Sequence, residues 1–205
     1  MTAREHILAR LRGRSPSDIS LPDVYRTAGR PADAPDLFAR RAREAAAEVV
    51  VAPAHGWARQ LAAQMRDRGV RTVAVWEDPL LAPAVEALRE AGMAIVGPGE
   101  HTPQRLDACD AGLTTAEAAV ATSGTLVLAC GPGRPRTTSL LPPLHVAVLP
   151  AGRVVATLED LLAGLPRPLP SALTLISGPS RTADIELVPV RGVHGPTDVV
   201  VYVLG

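Results

Sequence analysis

The sequence predicts an α/β fold built on a mostly parallel sheet with helices on both faces. Three observations carry this expectation. Between residues 48 and 96, short β-branched runs alternate with amphipathic helical segments, a βαβαβ rhythm whose crossovers make the strands parallel. Further apolar runs recur at 144–149, 173–176 and 199–203, rich in valine, leucine or isoleucine. Finally, 205 residues with 47% hydrophobic content can bury one substantial core, which suits one domain with a tail better than two domains.

Taken in order, residues 2–12 place Ile7, Leu8 and Leu11 among charges at helical spacing and predict a short amphipathic helix ending at Gly13. From 14 to 35 the composition shifts to Ser, Asp and Pro. Pro16, Pro22, Pro31 and Pro35 remove backbone donors, so this stretch reads as a linker or surface extension. Residues 1–35 are therefore expected to form an N-terminal extension, either a mobile tail or a docking arm, and 36–205 the α/β domain.

A helix is expected over 36–47, running into the strand Glu48-Val49-Val50-Val51, and a second over 57–68, ending at Gly69. A strand at 71–76, a helix at 79–91 with Pro79 in its first turn and Gly92 at its end, and a strand at 93–96 continue the alternation. Residues 110–114 add a strand, after which Thr114-Thr115-Ala116-Glu117 fits a capping box that would open a short helix over 116–120 and occupy Glu117. Ser123-Gly124 turns the chain into a strand at 125–129, followed by a Gly/Pro loop at 130–135. After the strand at 144–149, Thr157 and Asp160 suit the start of a helix over 157–162. The run 166–170 links to 173–176, expected as a buried strand, and 199–203 closes the chain.

Composition excludes several functions. Basic and acidic residues balance at 21 each and only five residues are aromatic, so neither a phosphate-seeking field nor a base-stacking surface is present. Every basic residue is arginine. The absence of lysine excludes a Walker-type phosphate loop and a pyridoxal Schiff base. Cys109 and Cys130 are the two cysteines, too few to hold an iron–sulfur cluster and outside any C-x-x-C, so they read as buried thiols. No run is apolar and long enough to span a bilayer and no leader follows Met1, which gives the expectation of a cytoplasmic protein.

Chemistry concentrates in Gly178-Pro179-Ser180-Arg181-Thr182-Ala183-Asp184-Ile185-Glu186, closed by Gly192-Val193-His194-Gly195-Pro196. These polar residues lie between two predicted strands, and carboxyl ends of strands in open α/β sheets are where ligands dock. A helix beginning at Ser180 would turn its free N–H groups on an anion, with Arg181 adding a bidentate grip and Thr182 a hydroxyl. Alternatively, Ser180 caps that helix and Arg181 pairs with Asp184 or Glu186. His194 lies among glycines, where it could serve as a general acid–base with Glu186 as a second candidate, or simply hydrogen-bond a carbonyl. A hydrolase triad of Ser180, His194 and Asp184 has no G-x-S-x-G elbow to support it. His145 precedes an apolar strand and reads as structural; His6, His55 and His101 have no metal-ligand spacing.

The GPSRTADIE run followed by GVHGP, together with Thr122-Ser123-Gly124-Thr125-Leu126-Val127-Leu128, Arg136, Ser139-Leu140-Leu141-Pro142 and His145-Val146, resembles the lactate-utilisation (LUD) domain family, specifically the small lactate-utilisation protein C type. The resemblance covers about residues 110–203. Thr122 stands where the family pattern has an acidic residue, so no carboxylate role carries over to it. The resemblance implies the fold shared by glucosamine-phosphate deaminases, ribose-phosphate isomerases and CoA transferases. It implies that Arg136 and Ser139 lie near the Ser123, Gly124 and Thr125 bend; because polar groups stand at several predicted strand ends, these residues are expected to converge with Gly178, Ser180, Arg181, Thr182 and Asp184 on one site for a small carboxylate or phosphate. It further implies a component of an L-lactate oxidation system that binds no cofactor itself, the iron–sulfur clusters belonging to partner iron–sulfur and oxidoreductase subunits. An enzyme of the isomerase, CoA-transferase or cycloligase type on the same fold is the alternative.

Overall fold

Valine-rich runs separated by helices have one economical arrangement, a parallel sheet shielded on both faces. The computed structural model, which describes residues 4–6, 9, 33–165, 169–182, 190–191 and 195–205, has it. Strands β1 (Glu48–Ala52), β2 (Thr72–Val75), β3 (Ala94–Val96), β4 (Ala111–Thr115), β7 (Leu144–Pro150) and β12 (Asp198–Leu204) pair in the order β1-β12-β7-β4-β2-β3, every pair parallel. The central strands β4, β7 and β12 are buried almost throughout, which is why they read as continuous apolar runs rather than alternating ones.

Helices α1 (Ala34–Glu44), α2 (Trp57–Asp67), α3 (Ala82–Glu90), α4 (Pro103–Asp107) and α5 (Leu158–Gly164) surround the strands. On one face, the α2 residue Trp57 meets Tyr202 with ring centroids 6.3 Å apart, and the Tyr202 hydroxyl donates to Gln64 Oε1 at 2.7 Å. Residues paired in parallel register share a face, so Gly112, His145 and Val199 all point to the other one. There α4 covers the far strands, its Leu106 clustering with Cys109, Ala74 and Val96.

A second sheet stands beside that face. Strands β8 (Val154–Val155), β5 (Ala118–Val120), β6 (Thr125–Cys130) and β9 (Ala172–Ile176) pair in the order β8-β5-β6-β9, with β6 antiparallel to both neighbours. Ala119, Leu126 and Leu128 join the main core, whereas Ala118, Val120 and Val127 pack on Leu161 of α5. The Thr157–Asp160 capping box at the start of α5 is present as the sequence predicts.

Three expectations are corrected. Residues 118–120 form β5 rather than a helix: the Thr114 hydroxyl is bonded to His145 instead of capping, and the Glu117 N–H donates to Val127 O at 2.8 Å in the strand ladder. Alanine-rich helix propensity loses here to pairing on both sides and burial. β9 is not a buried strand but the edge of the smaller sheet, with Leu175 54% exposed. The linker stops earlier than expected, because Ala34 and Pro35 open α1, where the missing proline N–H costs no hydrogen bond. Residues 4–6 and 9 are helical; the remainder of the predicted extension lies outside the described residues.

Between the loop after β6 and β7, the chain crosses the His145 face through a single 3-10 turn, Arg136–Ser139. It lies directly on Gly112, where an added Cβ would stand 1.9 Å from the Thr138 carbonyl oxygen. Gly112→Ala is therefore expected to push this turn off the sheet and to cost roughly 3 kcal/mol, read as a lower urea midpoint with an unchanged slope. An unaltered midpoint would show that the turn is free to shift.

Candidate functional site

The turn over Arg136–Ser139, the amino ends of β7 and β12, and the carboxyl end of β9 meet around one cavity of about 200 Å³. Ser139, His145, Thr174, Ser177, Ser180 and Gly195 supply its polar and backbone lining, with Leu140, Ile176 and Val199 between them. The site thus stands at the amino edge of the parallel sheet, not at the carboxyl edge the general rule for open sheets suggests. Antiparallel pairing of β9 with β6 is the cause, since it delivers the end of β9 to that side.

His145 is the unusual member. Its side chain is fully buried; Nε2 lies 2.9 Å from Thr114 Oγ1, and Nδ1 has no hydrogen-bond partner among the described residues. Buried polar atoms are nearly always paired, which makes this nitrogen the exception among the described side chains. Burial pushes the imidazole down to about 4, leaving it neutral near pH 7.

The hydroxyls divide by availability. Ser139 Oγ donates to Arg136 O at 3.0 Å and keeps its lone pairs free to accept. Ser123 Oγ, Thr125 Oγ1 and Ser177 Oγ form a chain at 2.7 and 2.8 Å, so the predicted bend reaches the cavity through Ser177. Ser180 is held by its backbone N–H to Pro196 O at 2.9 Å, and its Oγ has no partner among the described residues. The two small residues that hold this layout are Gly124, at φ 63 against the α1 backbone at Ala42, and Gly178, at φ 80, where a Cβ would meet Ala45 O at 2.1 Å.

Other sequence candidates lie elsewhere. No helix begins at Ser180: Arg181–Thr182 is strand β10, paired with β11 (Val190–Arg191), so the helix-dipole anion site is corrected. Arg181 turns away from the cavity and its Nη2 donates to Ala45 O at 3.0 Å, a carbonyl left open at the end of α1. The Arg136 side chain is exposed and does not line the cavity, although its carbonyl fixes Ser139. Asp184, Glu186 and His194 lie outside the described residues, as does the Thr182 side chain. Sequence reading set His145 aside and passed over Ser177; only the crossing of two sheets brings them together.

Two broader clefts of about 550 and 520 Å³ lie near Glu77 at the carboxyl edge of the parallel sheet. Of the acids that line the first cleft, Asp78 is already committed. Asp78 accepts from Thr115 Oγ1 and Arg134 Nη2, each at 2.8 Å, and from the Leu80 N–H at 2.9 Å. It works as a lock between loops, and Thr115 and Arg134 are used with it. Among the described residues no three His, Cys, Asp or Glu side chains gather as a metal site, and no helix is long and apolar enough to cross a membrane.

A parallel six-stranded sheet with a smaller mixed sheet on one face and a small polar cavity between them defines an α/β protein. More narrowly, the chain belongs to the LUD domain family, whose model matches residues 35–204. It is 40% identical over 104 residues to lactate utilization protein C of Halalkalibacterium halodurans, covering 48% of this chain and 45% of that protein. A second lactate utilization protein C, from Exiguobacterium sp., is 46% identical over 96 residues, covering 44% and 42% of the two chains. The chain thus spans somewhat under half the length of these curated relatives in the matched region. The crystal structure of a DUF162 family protein from Deinococcus radiodurans superposes with a TM-score of 0.62 at 23% identity, covering 85% of this chain and 98% of that one, a likeness of fold.

Two outcomes follow from this geometry. Because the folded-state His145 value lies below the unfolded one near 6.5, the unfolded chain takes up a proton first as pH falls. Stability is therefore intact above about pH 6.5 and declines toward pH 4, by on the order of 3 kcal/mol at about 1.4 kcal/mol per tenfold change. Urea unfolding across that range should show this loss, and a His145→Leu/Thr114→Val variant should lack that portion of it. Arg181→Ala should lower stability by about 0.5–1 kcal/mol through the uncapped Ala45 carbonyl and leave ligand binding unchanged; weakened ligand binding would return Arg181 to the site.

Proposed function

We propose that this chain is a cytoplasmic, non-redox component of an L-lactate oxidation system, binding a small anionic ligand in the His145 cavity. The observation that carries the reading is the LUD domain match over 35–204, joined by relatives named lactate utilization protein C. In this reading the domain of residues 36–205 supplies the binding site, and iron–sulfur and oxidoreductase subunits supply the redox centres. The cysteine inventory supports that division: Cys109 and Cys130 are both buried and belong to separate apolar clusters, so the chain offers no thiolate set of its own. The cavity supports a small ligand over a coenzyme, since sites for larger molecules usually enclose about 300–1,000 Å³ against the 200 Å³ found here.

Removing the chain from its host is expected to abolish growth on L-lactate as sole carbon source while leaving growth on glucose unaltered, with recovery on re-expression. Unimpaired growth on L-lactate would contradict the assignment.

A further inference from the structure

We infer that the N-terminal segment of residues 2–12 docks as an amphipathic helix on the leucine-bearing outer face of the smaller sheet, beside α5 and β9 of its own chain. The inference stands apart from the lactate-system reading and concerns a different surface from the His145 cavity.

Exposed apolar surface points to the place. Six large apolar side chains are exposed among the described residues, and four of them, Leu158, Leu162, Leu169 and Leu175, fall within the single stretch 158–175. Such side chains scattered singly need no explanation, but gathered on one surface they mark an interface. Strand register gathers them here. Leu175 pairs with Val127, which pairs with Ala118, so all three share the outer face of the sheet. Val127 and Ala118 pack on Leu161 of α5, and Leu165 and Leu173 border the same cluster. Leu158 and Leu162, one turn apart on α5, form the stripe next to Leu161. Exposed leucines thus flank the cluster both on α5 and on β9.

The occupant follows from the charge and pattern of the chain. Formal neutrality conceals an asymmetry: residues 1–32 hold six arginines against three acidic residues, net +3, whereas residues 33–205 hold 15 arginines against 18 acidic residues, net −3. Segment 2–12 carries Arg4, Arg10 and Arg12 against Glu5, while α5 carries Glu159 and Asp160 and no basic residue. Opposite charges therefore face each other around the leucines when the two meet. Residues 4–6 and 9 are helical, and at about 3.6 residues per turn the exposed Glu5, His6 and Ala9 fall opposite Ile7, Leu8 and Leu11. An isolated helix shorter than about 12–15 residues is marginal in water, so covering that apolar stripe is what sustains it. Residues 13–32 are the tether. Twenty residues at about 3.3 Å each span up to roughly 66 Å, against roughly 40 Å across a domain of this size, so the segment can reach the α5–β9 face from the start of α1. Tethering gives it an effective concentration on the order of millimolar, an advantage no separate partner or second copy has.

Hydrogen exchange with peptide readout on the full chain tests this. Amides of 158–176 should exchange at least tenfold faster in Ile7→Ser/Leu8→Ser/Leu11→Ser than in the parent chain, while those of β7 and β12 keep their rates and report an intact core. The reciprocal variant Leu158→Ser/Leu162→Ser/Leu175→Ser should release the amides of 5–12 by a similar factor. Glu159→Arg, which leaves the Asp160 cap in place, should release them severalfold, an effect that added salt diminishes. Unchanged exchange at 158–176 in the first variant, or at 5–12 in the second, would overturn the docking, and an unchanged rate in Glu159→Arg would remove the charge complementarity that selects this segment. The parent chain should keep its protection at 158–176 on tenfold dilution; protection lost on dilution would overturn the intramolecular occupant in favour of a second copy.

Discussion

Two backbone-on-backbone contacts make the rest of this molecule possible. The turn before β7 rests on the bare Cα of Gly112, and the chain leaving β9 rests on the carboxyl end of α1 through Gly178. Any side chain at either place would overlap a carbonyl oxygen, at 1.9 and 2.1 Å. With both contacts made, the crossing turn and the second sheet come close enough to roof the amino edge of the parallel sheet. The cavity is the space left between these two supports, and its polar lining comes from the segments they position.

The chemistry of that space depends on one buried ring. His145 is packed among apolar strands where charge is costly, and Thr114 is its one described hydrogen-bond partner. A neutral imidazole held by a threonine has little freedom to turn, and the ring forms a fixed part of the cavity lining. The charged groups nearby serve the scaffold instead. Arg181 holds the end of α1, and Arg134 with Thr115 holds Asp78. A reader looking for the site by charge alone would choose these residues and miss the cavity.

Much of the fold was legible from residue patterns. The alternation from Glu48 to Val96 gave its strands and helices within three residues, because burial on both faces of a parallel sheet leaves a strong apolar signal. Thr157 and Asp160 declared the start of α5 through local hydrogen bonding. What stayed hidden depended on distant partners. Residues 118–120 have helix-favouring composition but are held as a strand by Val127 and Val155, and no local property of Arg181 reveals Ala45, 136 residues away, as its acceptor. Of the site, Ser139 and Ser180 were visible through motif resemblance. His145 stood in the same motif but read as structural, because its burial beside the cavity arises only when strands from separate parts of the chain enclose it.

A crystal structure of the chain grown with L-lactate examines the central claim most directly. The account predicts the ligand in the His145 cavity, within about 3 Å of the hydroxyls of Ser139, Ser177 or Ser180. A lactate molecule bound instead at the carboxyl edge of the parallel sheet, beside Asp78 and Arg134, with the His145 cavity filled by water, would contradict it.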